Sequence, residues 1–226
     1  IDAIIGLPAN IFFGTGIPTI IMVLKQKRSS TDVLIIDASK GYEKVGKTNR
    51  LRACDSKKIV DVISARPQSV ERFARRVGRD EIRNNDYNLN IPRYVDSSEK
   101  PESWDIYASM FGGIPASELA ELAPYWEAFP GLQKAVFKGG SGKYLSVKCA
   151  DIAKTVAEHE SVLSFAAEFK KAFKGFDGYL KKSLVDNMEG VIISKQENVL
   201  SDYIFKKLAG IPLIDPYEAY QLLASE

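Results

Sequence analysis

The residues whose types and spacing could do chemistry are few enough to test singly. His159 is the single histidine of the chain, so a zinc site or a histidine-activated nucleophile would have to use it. It falls between Val156 and Leu163 on an apolar, helix-spaced stripe with no second ligand nearby, and a packed histidine is the plainer reading. Cys54 and Cys149 stand 95 positions apart, which makes neither a metal cluster nor a disulfide framework. Such usage implies two free thiols in a reducing, cytoplasmic compartment. Gly139-Gly140-Ser141-Gly142-Lys143 looks like a phosphate loop. However, the glycine due five positions before Gly142 would fall on Phe137, and Tyr144 stands where the magnesium-holding Ser or Thr belongs. Gly14-Thr15-Gly16 lacks the third glycine of a dinucleotide loop and leads through Pro18 into an apolar run of strand character. Asp37 with Glu43 and Lys44 does not complete the acid set of a metal nuclease, because no second acid pairs with a lysine two positions on. No metal site and no catalytic side chain is expected.

What remains is charge. The 226 residues carry 31 Lys and Arg against 29 Asp and Glu, which excludes a chain that is basic throughout. The near-neutral total hides a gradient: residues 40–83 carry 13 basic against six acidic side chains, and residues 84–130 carry two against eight. Lys40, Lys44, Lys47, Arg50 and Arg52 open the basic block. Density of that kind suits a phosphate backbone, where each neutralised phosphate releases a counterion. A solvated surface of mixed sign is the competing reading.

The elements that must position these groups follow from periodicity. At 45% hydrophobic and 27% charged the chain is a globular sequence, long enough for one large domain or two small ones. No apolar run reaches the length of a membrane span. Ile1–Leu7, Ile17–Leu24 and Val33–Ile36 are three apolar strands in quick succession, the third continuous and so buried on both faces. They suggest one edge of a larger sheet. Residues 10–16 form a loop with Phe12, Phe13 and two glycines, and residues 37–52 a long polar loop. Ser56 is expected to cap a helix bearing Ile59, Val60 and Ile63 that stops before Pro67. Phe73, Arg75 and Val77 alternate as a short strand, Arg79–Asn84 makes about one helical turn, and Tyr87, Leu89 and Ile91 alternate again. From Asp96 the texture turns helical. One long helix is expected over Val147 to about Leu184, then Val199–Leu208, then Tyr217 to about Leu223 with Asp215 as its cap. Ile1 opens inside strand-like sequence without Met or a leader pattern, and the chain is read as a piece of a longer polypeptide.

Three segments are more specific than any of these. Residues 7–19 (LPANIFFGTGIPT) resemble the LPANLFYGTGIPT signature of the modification (M) subunit of type I restriction-modification systems, an adenine-specific DNA methylase family. Residues 33–39 (VLIIDAS) are similar to its VLFIDAS strand. Residues 81–82 with 84–95 (EI, then NNDYNLNIPRYV) resemble its EI..NDYNLNIPRYV segment. Further on, Gly112-Gly113-Ile114-Pro115, Tyr125-Trp126, Phe129-Pro130-Gly131-Leu132 and Leu213-Ile214-Asp215-Pro216-Tyr217 are similar to the helical tail of one subgroup.

The resemblance implies an α/β fold: the edge portion of a Rossmann-like methyltransferase sheet over residues 1–95, then a mostly helical C-terminal region over 96–226 for subunit assembly. It implies methyl transfer from S-adenosylmethionine to the exocyclic amine of adenine in double-stranded DNA. The implied partners are a specificity (S) subunit, a second M subunit and a restriction subunit. The family's glycine-rich cofactor loop and its N-P-P-[YF] motif do not occur in the chain, so it is expected to be inactive alone. A flipped adenine needs an aromatic face, and alignment on Thr19 places Phe13 there, with Phe12 as the alternative. Lys40, Lys44, Lys47, Arg50 and Arg52 are then expected on DNA phosphates. Phe173 and Leu180, on the stripe of the long helix, are expected to dock the S subunit.

Overall fold

The computed structural model describes residues 1–98, 104–139 and 143–225. The chain divides into two compact units, Ile1–Pro101 with Tyr220–Glu226, and Glu102–Ala219.

The first unit is built on a five-stranded mixed sheet. Strands β1 (Ala3–Leu7), β2 (Thr19–Val23) and β3 (Val33–Asp37) lie where the apolar runs predict them. A separate hairpin, β4 (Glu43–Val45) with β5 (Thr48–Arg50), precedes helix α1 (Ala53–Ala65), and β6 (Ser69–Val70), β7 (Ala74–Val77) and α2 (Arg79–Asn84) follow. The strand order is β2-β1-β3-β7-β6. β1 runs parallel to β3, and the other three pairings are antiparallel.

Successive side chains of a strand point to opposite faces, and here both faces of β1 and β3 are covered. Ala3, Ile5, Leu7, Leu34 and Ile36 pack with Ile59 and Val62 of α1. Ile4, Val33 and Ile35 pack on the opposite side with Val77, Ile82, Tyr94 and Val95. That explains the unbroken apolar run of β3. β2 differs. Among the described residues it pairs with β1 alone, and Ile20, Ile21 and Met22 are exposed.

The second unit is α3 (Ile106–Phe111), β8 (Ile114–Pro115), α4 (Ala116–Glu121), α5 (Ala123–Ala128), α6 (Leu132–Val136), β9 (Phe137–Gly139), β10 (Tyr144–Val147), α7 (Ile152–Ala157), α8 (Glu160–Ala172), α9 (Phe176–Leu180), α10 (Ile193–Leu208) and the start of α11 (Pro216–Ala224). It is mostly helical, with a small antiparallel sheet in the order β8-β10-β9.

Several expectations need correction. The long polar loop over 37–52 contains the β4–β5 hairpin. Its strands are polar and three residues each, too short to show alternation, and Gly46 supplies the left-handed turn residue at φ 62°. Helix α1 is capped at Arg52 rather than Ser56: the Asp55 carboxylate accepts from the Arg52 backbone N–H at 3.0 Å and from its guanidinium at 2.9 Å. Tyr87–Ile91 is not extended, because Asp86 and Tyr87 both take left-handed φ (53° and 58°) ahead of a 3-10 turn at Ile91–Arg93.

The single helix over 147–184 is three helices and a π-turn. Val147 belongs to β10; Asp151 caps α7 by accepting from Lys154 N–H; His159 caps α8, its Nδ1 accepting from Ser161 N–H at 3.3 Å; and Gly175 at φ 79° separates α8 from α9. His159 is therefore a capping residue, not a stripe residue. The apolar spacing carries across these breaks because each falls at a polar or glycine position. Helix α10 begins six residues before Val199, at Ile193. Asp215 does accept from Tyr217 N–H at 2.8 Å at the start of α11. Of the Gly139–Lys143 segment, residues 140–142 lie outside the described residues.

Candidate nucleic-acid interface

Because β1 and β3 are parallel, the loops that follow them leave from the same end of the sheet. Open α/β sheets bind ligands at the carboxyl ends of their strands. The first loop, residues 8–18, turns at Asn10 (φ 55°) and Gly14 (φ 77°). Between these turns it presents Phe12 at 55% exposure and Phe13 at 99%. Burying a phenylalanine ring is worth about 1.5–3 kcal/mol, so a ring standing wholly in water contributes nothing to this fold. A surface for another ring is the use such a position offers.

The second loop carries the basic side chains. Lys40 lies three residues after the end of β3; Lys44 lies on β4; Lys47 is in the hairpin turn; Arg50 ends β5. Lys44, Lys47 and Arg50 are all exposed. Arg52 stands apart, its guanidinium forked onto Asp55 with Nε to Oδ2 and Nη2 to Oδ1 at 2.9 Å each. Asn49 of β5 ties the two loops together: it donates from its side chain to Ala9 O at 2.8 Å and from its backbone to Asn10 O at 2.9 Å.

Under the same sheet end is a cavity of about 450 Å³ lined by Gly6, Leu7, Thr19, Asp37, Asn90 and Ile91, among others. Asp37 ends β3 there and accepts from Ser39 N–H at 3.0 Å and from the Ser97 hydroxyl. Burial pushes the Asp37 carboxyl up, but the hydrogen bonds from Ser39 and Ser97 and the charge of Lys40 outweigh it and hold it below the usual carboxylate range. The Thr19 hydroxyl is buried and has no hydrogen-bond partner. Sequence reasoning passed over Asn49, Asn90 and this cavity. Asn49 lies within the polar 37–52 segment, and nothing in spacing distinguishes a loop asparagine from one that bonds across 40 positions.

The residues expected to dock a partner sit in the second unit. Phe173 follows α8 and Leu180 ends α9, both half-buried. Phe173 packs with Phe169 and Phe176 at ring centroids of 5.0 and 5.5 Å, and Tyr203 of α10 stacks on Tyr179 at 4.4 Å. Helix α10 thus covers part of the stripe from within the chain, while Leu163 stays 56% exposed.

Among the described residues, no three His, Cys, Asp or Glu side chains are grouped to hold a metal ion, and no helix is long and apolar enough to cross a membrane. Among the described residues, Cys54 and Cys149 form no disulfide. The turn at Gly14–Gly16 opens onto β2 and not onto a helix, so it offers no helix N-terminus to a cofactor's anionic groups. The Gly14–Gly16 turn therefore does not fit the cofactor side of a methyltransferase.

Comparison with known proteins agrees with the motifs. Residues 1–103 match the family model of N-6 DNA Methylase. The chain is 39% identical over 107 residues to the type I restriction enzyme MpnII methylase subunit of Mycoplasma pneumoniae, covering 47% of this chain and 20% of that protein. It is 40% identical over 112 residues to the type I restriction enzyme MjaVII methylase subunit of Methanocaldococcus jannaschii, covering 47% and 19%. A solved type I restriction-modification methyltransferase subunit from Streptococcus thermophilus is 46% identical over 43% of this chain and 20% of its own, with a TM-score of 0.42. The chain thus spans about one fifth of the length of these relatives. Over its first 103 residues, the chain is similar to N-6 DNA methylases and to the methylase subunits of type I restriction enzymes.

Proposed function

We propose that residues 1–95 form the target-base and DNA-backbone side of an adenine-specific DNA methyltransferase that uses S-adenosylmethionine, within the modification subunit of a type I restriction-modification system. The observation that carries this reading is Phe13. It is a ring 99% exposed, on a loop at the carboxyl end of two parallel strands, in a segment matching an N-6 DNA methylase family.

An adenine inside a duplex must leave the stack before its exocyclic amine can react. The cost of unstacking is offset if the extruded base meets a new face, and base–aromatic stacking is worth about 1–3 kcal/mol. Phe13 offers that face, with Phe12 beside it. Lys40, Lys44, Lys47 and Arg50 hold the flanking phosphates without reading sequence, and Arg52 contributes its charge from the start of α1. The transfer itself needs the cofactor side of the site, so this chain alone transfers no methyl group.

The test is single-turnover methylation by a full-length modification subunit assembled with its specificity subunit. Phe13→Ala lowers the rate about 10- to 100-fold, the loss expected for one stacked base, while the protein stays soluble and folded. Wild-type turnover by soluble Phe13→Ala removes the assignment.

A second reading concerns residues 96–226, as a non-catalytic helical module that docks the specificity subunit and contacts DNA backbone. It rests on the apolar side chains left exposed in that region, Leu163 among them. The readings concern different halves of the chain. Losing DNA binding on editing residues 12–58 supports the first, and losing specificity-subunit binding on editing 96–226 supports the second.

A further inference from the structure

We infer that Asn49 is a positioning residue that sets the stance of the Phe12–Phe13 loop and couples it to the basic hairpin. The inference rests on the reading that this loop receives the target base.

Three observations lead to it. The first is how little the loop holds itself. Between Asn10 and the start of β2 the described backbone makes one internal hydrogen bond, Thr15 N–H to Phe12 O at 3.4 Å. Phe13 packs on nothing, being 99% exposed. Gly14 at φ 77° adds a residue with few steric restraints. Ile11 packs against the core beneath, but the Phe13 ring two residues on has no such contact, so its height above the sheet depends on how the base of the loop is held.

The second is that Asn49 provides that anchor twice. Its side-chain amide donates to Ala9 O at 2.8 Å and its backbone N–H donates to Asn10 O at 2.9 Å. Two consecutive carbonyls are held by one residue, at the point where Asn10 adopts φ 55°. That left-handed conformation is costly for most side chains, and the pair of bonds keeps it. The Asn10 side chain in turn lies against Gly16, whose added Cβ would stand 3.4 Å from Asn10 Oδ1. The entry and exit of the loop are thereby tied to the same anchor.

The third is where Asn49 sits. It lies on β5, paired in register with Lys44 of β4, next to Arg50, and two residues after Lys47 in the turn. A hairpin held on phosphates by Lys44, Lys47 and Arg50 would fix Asn49, and Asn49 would fix the loop. Backbone contact would then place the ring. A catalytic group displaced slightly loses rate without losing affinity, so Asn49 belongs on the rate side of the reaction, not on the binding side.

The experiment uses the full-length subunit with its specificity subunit and a duplex carrying one target site. Asn49→Ala, Asn49→Asp and Phe13→Ala are compared by single-turnover rate, by DNA affinity, and by amide hydrogen exchange of residues 9–18. Asn49→Ala removes the side-chain donor and keeps the backbone one. Asn49→Asp sets a carboxylate against Ala9 O, and it replaces Asn49→Ala should that variant fail to fold. The expected result is faster exchange over residues 10–16 and a rate lowered about five- to tenfold, the size of one net hydrogen bond, with DNA affinity changed less than about twofold. Phe13→Ala lowers the rate too but leaves exchange at residues 9–10 as it was. Unchanged exchange in the Asn49 variants, or an unchanged rate beside an impaired Phe13→Ala, overturns the inference and leaves the base-stacking reading standing. Wild-type turnover by Phe13→Ala overturns that reading and this inference with it.

Discussion

Arg66 ends α1 in the left-handed conformation, φ 45°, and from there its guanidinium reaches the Asp2 carboxylate at 3.0 Å, 64 positions away. Asp2 is buried and is met also by Lys25 at 3.1 Å and Arg28 at 2.9 Å. Burial pushes the Asp2 carboxyl up, but the Lys25 hydrogen bond and the charges of Arg66, Lys25 and Arg28 prevail and hold it below the usual carboxylate range. A carboxyl whose folded pKa is depressed adds stability that is complete above its unfolded value, about 4, and fades as pH falls through the folded value. The first unit should therefore keep full stability at neutral pH and lose it below about pH 4. Arg66→Met should cost about 1–3 kcal/mol at pH 7 and move the acid-unfolding midpoint upward. Circular dichroism against pH checks both, and an unmoved midpoint would show that Arg66 does not hold Asp2 in its charged form.

The hairpin lysines should act as phosphate contacts. Lys44→Ala with Lys47→Ala, in the assembled complex, should flatten the dependence of log affinity on log salt by about 2. Specific and nonspecific duplexes should weaken alike, since backbone contacts carry no sequence information. Arg52→Ala should behave differently: with its side chain forked onto Asp55 at the start of α1, its loss should lower thermal stability by about 0.5–2 kcal/mol. Fluorescence anisotropy over a salt series and a melting curve separate the two behaviours. An unchanged slope would assign the hairpin to the solvated surface.

The exposed edge of β2 should make this chain self-associate. Ile20, Ile21 and Met22 are 47–56% exposed on a strand paired on one side, and unpaired apolar edges are templates for further pairing. Ile21→Lys should reduce the apparent mass of the chain in light scattering toward that of a monomer. If the wild-type chain is already monomeric at high concentration, the edge is protected in some other way.

How much of this was legible in the sequence depends on the kind of signal. β1, β2 and β3 were legible because each is an apolar run bounded by Pro, Gly or charge. The exposure of β2 was not, since hydrophobicity reports what a strand can bury and not which neighbours it has. The β4–β5 hairpin was hidden because Glu43–Arg50 is polar and its pairing depends on one glycine turn. The long helix was overread: a three-or-four spacing survives a capped break at His159 and a left-handed Gly175, because neither interrupts the apolar positions themselves. Phe12 and Phe13 were singled out through motif resemblance, not through any pattern of their own. Asn49 needed coordinates, since both of its partners are backbone carbonyls and leave no mark on composition.

The aromatic cluster of the second unit sets a prediction for its docking role. Phe173→Ser with Leu180→Ser removes two half-buried apolar groups, the first in ring contact with Phe176, which itself stacks on Tyr203. If residues 96–226 dock the specificity subunit through this stripe, the modification subunit stays folded and co-purification fails. If the stripe is interior packing beneath α10, the same changes lower the melting temperature of the isolated chain by about 2–4 °C for each kcal/mol lost.

The most direct measurement of the central claim places a fluorescent base where the ring should be. A duplex carrying 2-aminopurine at the target adenine is bound by the full-length complex with Phe13 as the native residue, Ala or Trp. Extrusion of the base raises its emission, and an indole stacked on it quenches that emission. The account predicts bright emission with Phe13→Ala and strong quenching with Phe13→Trp at equal DNA occupancy. Equal emission from the Ala and Trp variants would mean that residue 13 does not meet the flipped base, and would contradict it.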